Sequence, residues 1–470
     1  MRATAIVVGC AAAAALSTLV VAPAPAYDAW SWLLWGREVA GGALSTSEGP
    51  AFKPLPVAVC ALLSAFGGAA PLLWAIVARS GALLAVVLAF RLGRRLSEGM
   101  LTAGVLAAVG VALCGSFLGY AAEGVVTGWL LALGLVGLEA WRVGRPRAAV
   151  ACAVACCLLH VEAWPFAAAF GLLAWLRRPR DRPLLVAAAV AVPILWLVPE
   201  WIGSGDPLRS GARARVPNPG QPALADVPAL ASLEESARLL LWPLWLGLVA
   251  LAAVAWRRRP GGAGVGLSAW RGRLGGGAAG AGALAVVGVA WIVLVAAMAQ
   301  LGGFSGEPRY ATPGMALVAI AGAVGLAIAA GRVTQPSWAA PAAMTLIAVA
   351  LTLAGVARLD QLSGVPAAQA HQWRLANDLR EAVQAAGGRE AVMRCGIPYV
   401  GPLRGPLLAY RLDVAKEAVE PDEPPRRPGV VFRSPRRASD RPTPAWTPAL
   451  RDVAVVGDWQ VARACRVRKP

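Results

Sequence analysis

An uncharged run of Ala, Leu and Val, a short loop, then another such run: this pattern recurs from residue 4 to residue 356. Each run is about the length a helix needs to cross a bilayer, roughly 20 residues. An all-α polytopic membrane protein is therefore expected, and counting soluble domains from 470 residues does not apply. About eleven transmembrane helices are expected, near 4–22, 74–92, 101–119, 124–141, 148–160, 164–176, 184–201, 237–256, 279–301, 312–331 and 338–357. With 58% hydrophobic and only 15% charged residues, the composition agrees.

The net charge of +18 would fit nucleic acid. Most basic residues before the tail, however, lie in short loops between apolar runs, where charge sets topology. Nucleic acid is therefore excluded as a partner. Arg91, Arg94 and Arg95 follow the second run, Arg142, Arg145 and Arg147 the fourth, and Arg177, Arg178, Arg180 and Arg182 the sixth. Arg257, Arg258, Arg259, Arg271 and Arg273 follow the eighth, and Arg332 the tenth. These loops share one side if residues 148–176 cross twice rather than as one long helix. The positive-inside rule makes that side the cytoplasm. The other face then receives Asp28, Lys53, Glu123, His160, Glu162, Glu200, Asp206, Glu307 and Arg309.

Two domains are expected: residues 1–357 in the membrane, with a large first outer loop at 23–73, and an extracytoplasmic α/β domain at 358–470. The outer loop at 202–236, with Arg209, Arg213 and Arg215, is Gly/Pro-rich with little helical periodicity, and 257–278 is a Gly/Arg linker. In the tail, 369–386 has helical spacing and stops at Gly387-Gly388. Strand-like runs follow at 391–395, 407–414, 430–433, 453–456 and 459–465, broken by a Pro/Arg-rich stretch at 421–449. Cys395 and Cys465 are expected to pair in an oxidising compartment. The other six cysteines lie in apolar stretches, as small packing residues. No Cys/His cluster has zinc spacing.

The candidate chemistry begins at Tyr27. Asp28 stands just past the first apolar run, followed by Trp30, Trp32 and Trp35, ring types that favour the lipid–water boundary. A carboxylate so near the bilayer is a candidate proton acceptor, or else the cap of the helix starting near 29. Glu123 is a second candidate catalytic acid, or a carboxylate stabilised at a helix N-terminus. His160 and Glu162 interrupt apolar sequence; burying them is costly unless they are solvated or paired. They line a water-filled cavity or form a structural pair. Lys53, Arg309 and, assisting, Arg79 are candidate phosphate ligands, since Arg offers a fork of donors for phosphate oxygens. Snorkelling to headgroups is the alternative for each. Tyr27, Glu307 and Tyr310 complete the expected substrate cavity. Such a set suits group transfer from a membrane-held lipid phosphate: a carboxylate takes the acceptor proton and fixed cations or a metal meet the developing charge. A divalent metal, if used, would fall to Asp28 and Glu123. The metal and any other cofactor stay open.

Residues 1–26 carry Arg2, an apolar core and Ala-Pro-Ala before Tyr27, as either a cleaved secretory signal or a first span. From about 26 to 331 the chain resembles the GT-C superfamily of membrane glycosyltransferases, of the aminoarabinose-transferase and protein O-mannosyltransferase type. Asp28 matches the acid opening the family's large first outer loop. Lys53-Pro54-Leu55-Pro56 resembles the Lys-Pro-Pro-Leu later in it. Arg79, Arg91, Arg94, Arg95 and Glu123 fit the family's second span and second outer acid, and Gly306-Glu-Pro-Arg309-Tyr310 its late Arg-Tyr. His160-Val161-Glu162 stands where the family has Arg-Pro-Glu, without the Arg and Pro. The resemblance implies an uncleaved first span and a polyprenyl-phosphate sugar donor. It further implies inversion, Asp28 as base, and Lys53 and Arg309 near the phosphate. The acceptor would be an extracytoplasmic glycan, lipid or protein hydroxyl, and the locale the plasma membrane. The tail lies outside the comparison. The rival readings are a transporter or flippase of lipid-linked sugars and a structural assembly protein of the membrane.

Overall fold

The computed structural model describes residues 2–257, 277–331, 339–421, 428–445 and 450–465. Arg258, Arg259, Arg271, Arg273 and Arg332, most of the linker expected at 257–278 and part of the 421–449 stretch lie outside the described residues. Helix α1 (Arg2–Ser17) is followed, within the first loop, by α2 (Tyr27–Ala40) and α3 (Pro54–Ser64). Then come α4 (Ala70–Leu96), α5 (Leu101–Ala112), the short α6 (Phe117–Ala122), α7 (Thr127–Arg142), α8 (Pro146–Leu159), α9 (Trp164–Arg177) and α10 (Arg182–Ser204). Two helices, α11 (Arg209–Ala214) and α12 (Pro228–Ala237), occupy the loop before α13 (Trp242–Arg257). The long helices α14 (Gly277–Gly302), α15 (Pro308–Gly331) and α16 (Ala339–Ser363) follow.

Each expected span falls on one of these helices. Five helical stretches are long and apolar enough to cross a bilayer: Pro54–Leu96, Pro179–Ser204, Gly277–Gly302, Pro308–Gly331 and Thr345–Ala385. A sixth exists only if α12 and α13 count together across a 96° bend. The remaining runs form shorter helices such as α1, α5 and α8. The protein is a multi-pass membrane protein.

Helix α15 is the axis of the membrane core, with 78% of its apolar window buried. It reaches α13 at glycines: a Cβ on Gly247 would collide with the carbonyl of Gly322. Small residues at such contacts let backbones approach in place of a hydrophobic driving force, which lipid does not supply. Among the described ends, the arginine-bearing ones gather as expected. Arg91 and Arg95, at the end of α4, both reach Glu139 of α7, at 3.3 and 2.7 Å. Helices α8 and α9 form a hairpin: Arg147 at its start and Asp181 beyond its end lie 3.6 Å apart. The 148–176 region therefore goes and returns, with His160 at its tip.

Beyond α16, which runs through the expected junction at 357/358, lies the small α/β layer. Helix α17 (Val365–Ala385) ends before Gly387 and Gly388, whose φ values of +94° and +78° suit glycine. The sheet comprises β1 (Tyr399–Val400), β2 (Glu420–Pro421), β3 (Gly429–Arg433), β4 (Arg451–Val456) and β5 (Trp459–Ala464). Its order is β2-β1-β3-β5-β4, parallel among the first three strands and antiparallel from β3 onwards. Two expected strands are helices instead. Residues 391–395 belong to α18 (Gly388–Cys395), and 407–414 mostly to α19 (Gly405–Leu412). Runs this short fit either period. In α19, Pro406 opens the first turn, and Leu408 and Leu412, one turn apart, share the buried face. A disulfide joins Cys395 to Cys465.

The layer is docked on the first loop. Arg37 of α2 donates to the Tyr410 carbonyl at 2.9 Å and pairs with Asp413 at 3.1 Å. Trp30 and Tyr410 meet ring to ring, and one apolar cluster runs from Trp30, Trp32 and Trp35 through to Leu375 and Trp459.

Candidate active site

Local sequence sets up each functional side chain. Ala26, extended, donates its N–H to the Glu123 carbonyl at 2.8 Å and fixes where α2 starts. Asp28 lies inside the first turn rather than at the cap, where the helix dipole favours a carboxylate. Lys53 precedes Pro54, which bars it from the helical region; it is extended (φ −132°, ψ 113°) at the head of α3. His160 is extended between α8 and a 3-10 turn at Val161–Ala163. Arg309 follows Pro308 in the first turn of α15.

These side chains converge on one cavity of about 370 Å³. Tyr27, Asp28, Lys53, His160, Glu162, Arg309 and Tyr310 all line it. Arg309 is its hub, pairing with Asp28 at 3.1 Å and Glu307 at 2.6 Å and donating to the Tyr310 hydroxyl at 3.2 Å. Lys53 Nζ lies 3.2 Å from His160 Nε2, and His160 Nδ1 lies 3.2 Å from Glu162 Oε2. Apolar side chains line it as well, among them Leu197, Leu208, Val295, Met298 and Phe304. Leu197 belongs to α10, whose side chains are largely exposed, as on a helix facing hydrocarbon.

Burial lowers the Lys53 pKa to about 8, with Asp28 and Glu162 opposing and Arg309 assisting. Burial and then the Lys53 charge hold His160 below the ordinary imidazole value, so it is neutral at pH 7. Burial alone would raise Glu162; its hydrogen bond from His160 and the Lys53 charge outweigh this and hold the carboxyl below the usual range. Burial pushes the Tyr27 phenol up to about 12.

Three sequence candidates lie off the cavity wall. Glu307 stands behind Arg309, held also by Gln221 Nε2 at 2.6 Å. Glu123 is exposed at the C-terminal end of α6. Desolvation there raises its carboxyl pKa, against the field of Arg309. Arg79 is buried and donates to Ser17 Oγ and the carbonyls of Val21 and Ala22 at 2.8–3.1 Å. The expected phosphate-ligand role of Arg79 is corrected on that geometry: it closes the C-terminal end of α1. Among the described residues no three His, Cys, Asp or Glu side chains gather as a metal-binding group. Asp28 is engaged by Arg309 and lines the cavity, whereas Glu123 does not line it.

The sequence carried one further cluster without a role. Glu200, fully buried in α10, accepts from Arg209 Nε at 3.1 Å and Ser210 Oγ at 2.7 Å. Arg209 also donates to the Pro50 carbonyl, and Ser210 Oγ accepts the Phe52 N–H at 2.7 Å. The cluster anchors the segment that ends in Lys53. Its only sequence signal was a carboxylate inside an apolar run.

The structure resembles that of ArnT from Cupriavidus metallidurans bound to undecaprenyl phosphate, with 15% identity, a TM-score of 0.52 and 98% of each chain covered. It also resembles the same organism's ArnT in the apo state, with 16% identity, a TM-score of 0.53, and 99% of this chain and 98% of that one covered. No family model and no curated protein sequence matches the chain.

Proposed function

We propose that this protein is an integral membrane glycosyltransferase. In this reading it moves a sugar from a polyprenyl-phosphate donor to an extracytoplasmic acceptor hydroxyl with inversion. One observation carries the reading: a single cavity holds the Asp28 and Glu162 carboxylates and the Lys53, Arg213 and Arg309 cations together with apolar side chains, among them Leu197 of a lipid-facing helix. That is the shape and chemistry of an amphipathic lipid phosphate. The GT-C fold, one of whose solved members holds undecaprenyl phosphate, supports the same donor class.

The phosphate binds Lys53 and Arg309, the latter through its planar fork. Its oxygens compete with Asp28 for Arg309, so donor binding releases the Asp28 carboxylate. Asp28 takes the proton of the acceptor hydroxyl as that oxygen attacks the anomeric carbon from the face opposite the phosphate. The C1–O bond to phosphate breaks, and Lys53 and Arg309 hold the departing charge. Tyr310 steers Arg309 through its hydroxyl. Glu123 acts at a distance, through its field on Arg309 and Asp28.

Asp28→Asn keeps the shape and removes the base. In sealed vesicles with a labelled lipid-linked sugar, transfer is expected to fall by about 10²–10⁴-fold. Undiminished transfer would reject Asp28 as base.

A further inference from the structure

Lys53 is a cation held without a carboxylate against it. Its hydrogen-bond partner at 3.2 Å is an imidazole, and Glu162 stands behind that imidazole. The ring faces of Trp32 and Tyr310 lie 5.6 and 6.0 Å from Nζ. Among the described residues no acidic side chain pairs directly with Lys53. An ammonium only donates, so Nε2 of His160 must accept; the ring proton is then on Nδ1 and goes to Glu162. His160 and Glu162 are both over nine-tenths buried, so neither can drift to another partner.

The geometry points to His160 and Glu162 as positioning residues that hold Lys53 as a charged, unpaired phosphate ligand. This rests on the donor-phosphate reading above and deepens it. A carboxylate directly on Lys53 would neutralise it and compete with the phosphate, as Asp28 does on Arg309. An interposed neutral imidazole fixes the ammonium in place and leaves donors free for oxygen. Glu162, one side chain further off, supplies the counter-charge that keeps the lysine protonated in a buried site. The groups acting on Lys53 are Asp28 from α2, His160 and Glu162 from the hairpin tip, and Arg309 from α15. Of these, Asp28 and Glu162 favour its charge, while burial and Arg309 oppose it.

The sign follows. Lys53 is protonated below about pH 8 and loses its charge above it. Phosphate affinity should therefore fall on the alkaline side, and removing Glu162 should move that fall to lower pH. Full-length protein in nanodiscs is titrated with undecaprenyl phosphate, with undecaprenol as the uncharged control, from about pH 6.5, where a phosphate monoester is largely doubly ionised. Glu162→Gln is expected to shift the alkaline fall down by about one pH unit, with affinity on the acid side kept within about threefold. His160→Leu is expected to shift it similarly. His160→Gln, whose amide can accept from lysine and donate to Glu162, restores it. Lys53→Met abolishes the fall.

A Glu162→Gln and a His160→Leu protein that keep the wild-type pH limb and lose affinity equally at all pH would overturn the proposal, since that marks a merely structural pair. So would a Lys53→Met protein that retains the limb. If His160→Leu does not fold, Glu162→Gln and His160→Gln, both close in shape to the wild type, decide the matter. Wild-type protein that fails to prefer the phosphate over the alcohol would instead remove the donor-phosphate reading beneath it.

Discussion

Arg309 is the residue on which the site turns, because its fork reaches Asp28, Glu307 and the Tyr310 hydroxyl at once. A lysine there keeps the charge and loses the fork. Arg309→Lys is expected to lower kcat/KM by about tenfold or more, the cost of a charge-assisted contact or two. A vesicle assay across donor concentrations checks it, and wild-type kinetics would remove the fork argument. Asp28, Lys53 and Arg309 were legible in the sequence because each is a charge beside an apolar run. Arg79 read the same way and was misjudged. A cation near a span end looks alike whether it faces phosphate or the carbonyls of the segment that follows a neighbouring helix. Gln221 could not be read at all, since its partner Glu307 lies 86 residues away.

Among the elements, α10, α11 and the first loop are tied by the Glu200–Arg209–Ser210 cluster. Glu200 is buried, its partners Arg209 and Ser210 are half-buried, and Arg209 grips the Pro50 carbonyl just ahead of Lys53. Glu200→Ala leaves Arg209 without its carboxylate in a nearly closed site. Breaking such a pair is expected to cost about 3 kcal/mol. Thermal unfolding should show a lowered midpoint, and donor KM should rise as Lys53 loses its anchor. A lowered midpoint with unchanged KM would confine the cluster to stability. At this scale the long helices were legible from apolar length alone. The loop at 202–236 was not, because its anchoring contacts to residues 49–52 skip about 160 residues of sequence. The two helices taken for strands, 391–395 and 407–414, show the other limit: a few apolar residues fit both periods, and packing decides.

For the whole molecule, which arginine-bearing ends lie together was legible and the docking of the tail was not. Arginine clusters mark one end, and the contacts of Glu139 and Asp181 gather that end in space. Nothing in the composition of the tail says that Tyr410 and Asp413 will close on Arg37, or that Leu403 will reach the cavity rim. Because the tail packs on the first loop, both must share a compartment, and the proposed site is outside the cytoplasm only if both are. In that compartment Cys395 and Cys465 should resist alkylation in the intact protein until a reductant is added. The stricter check uses single reporter cysteines at two exposed positions, Ala43→Cys in the first loop and Val143→Cys among the arginines. A membrane-impermeant maleimide applied to intact cells is expected to label the first at once and the second only after permeabilisation, by the positive-inside rule. The reverse order would put Asp28, Lys53 and Arg309 in the cytosol. Transfer to an extracytoplasmic acceptor would then be ruled out, whatever the geometry of the cavity.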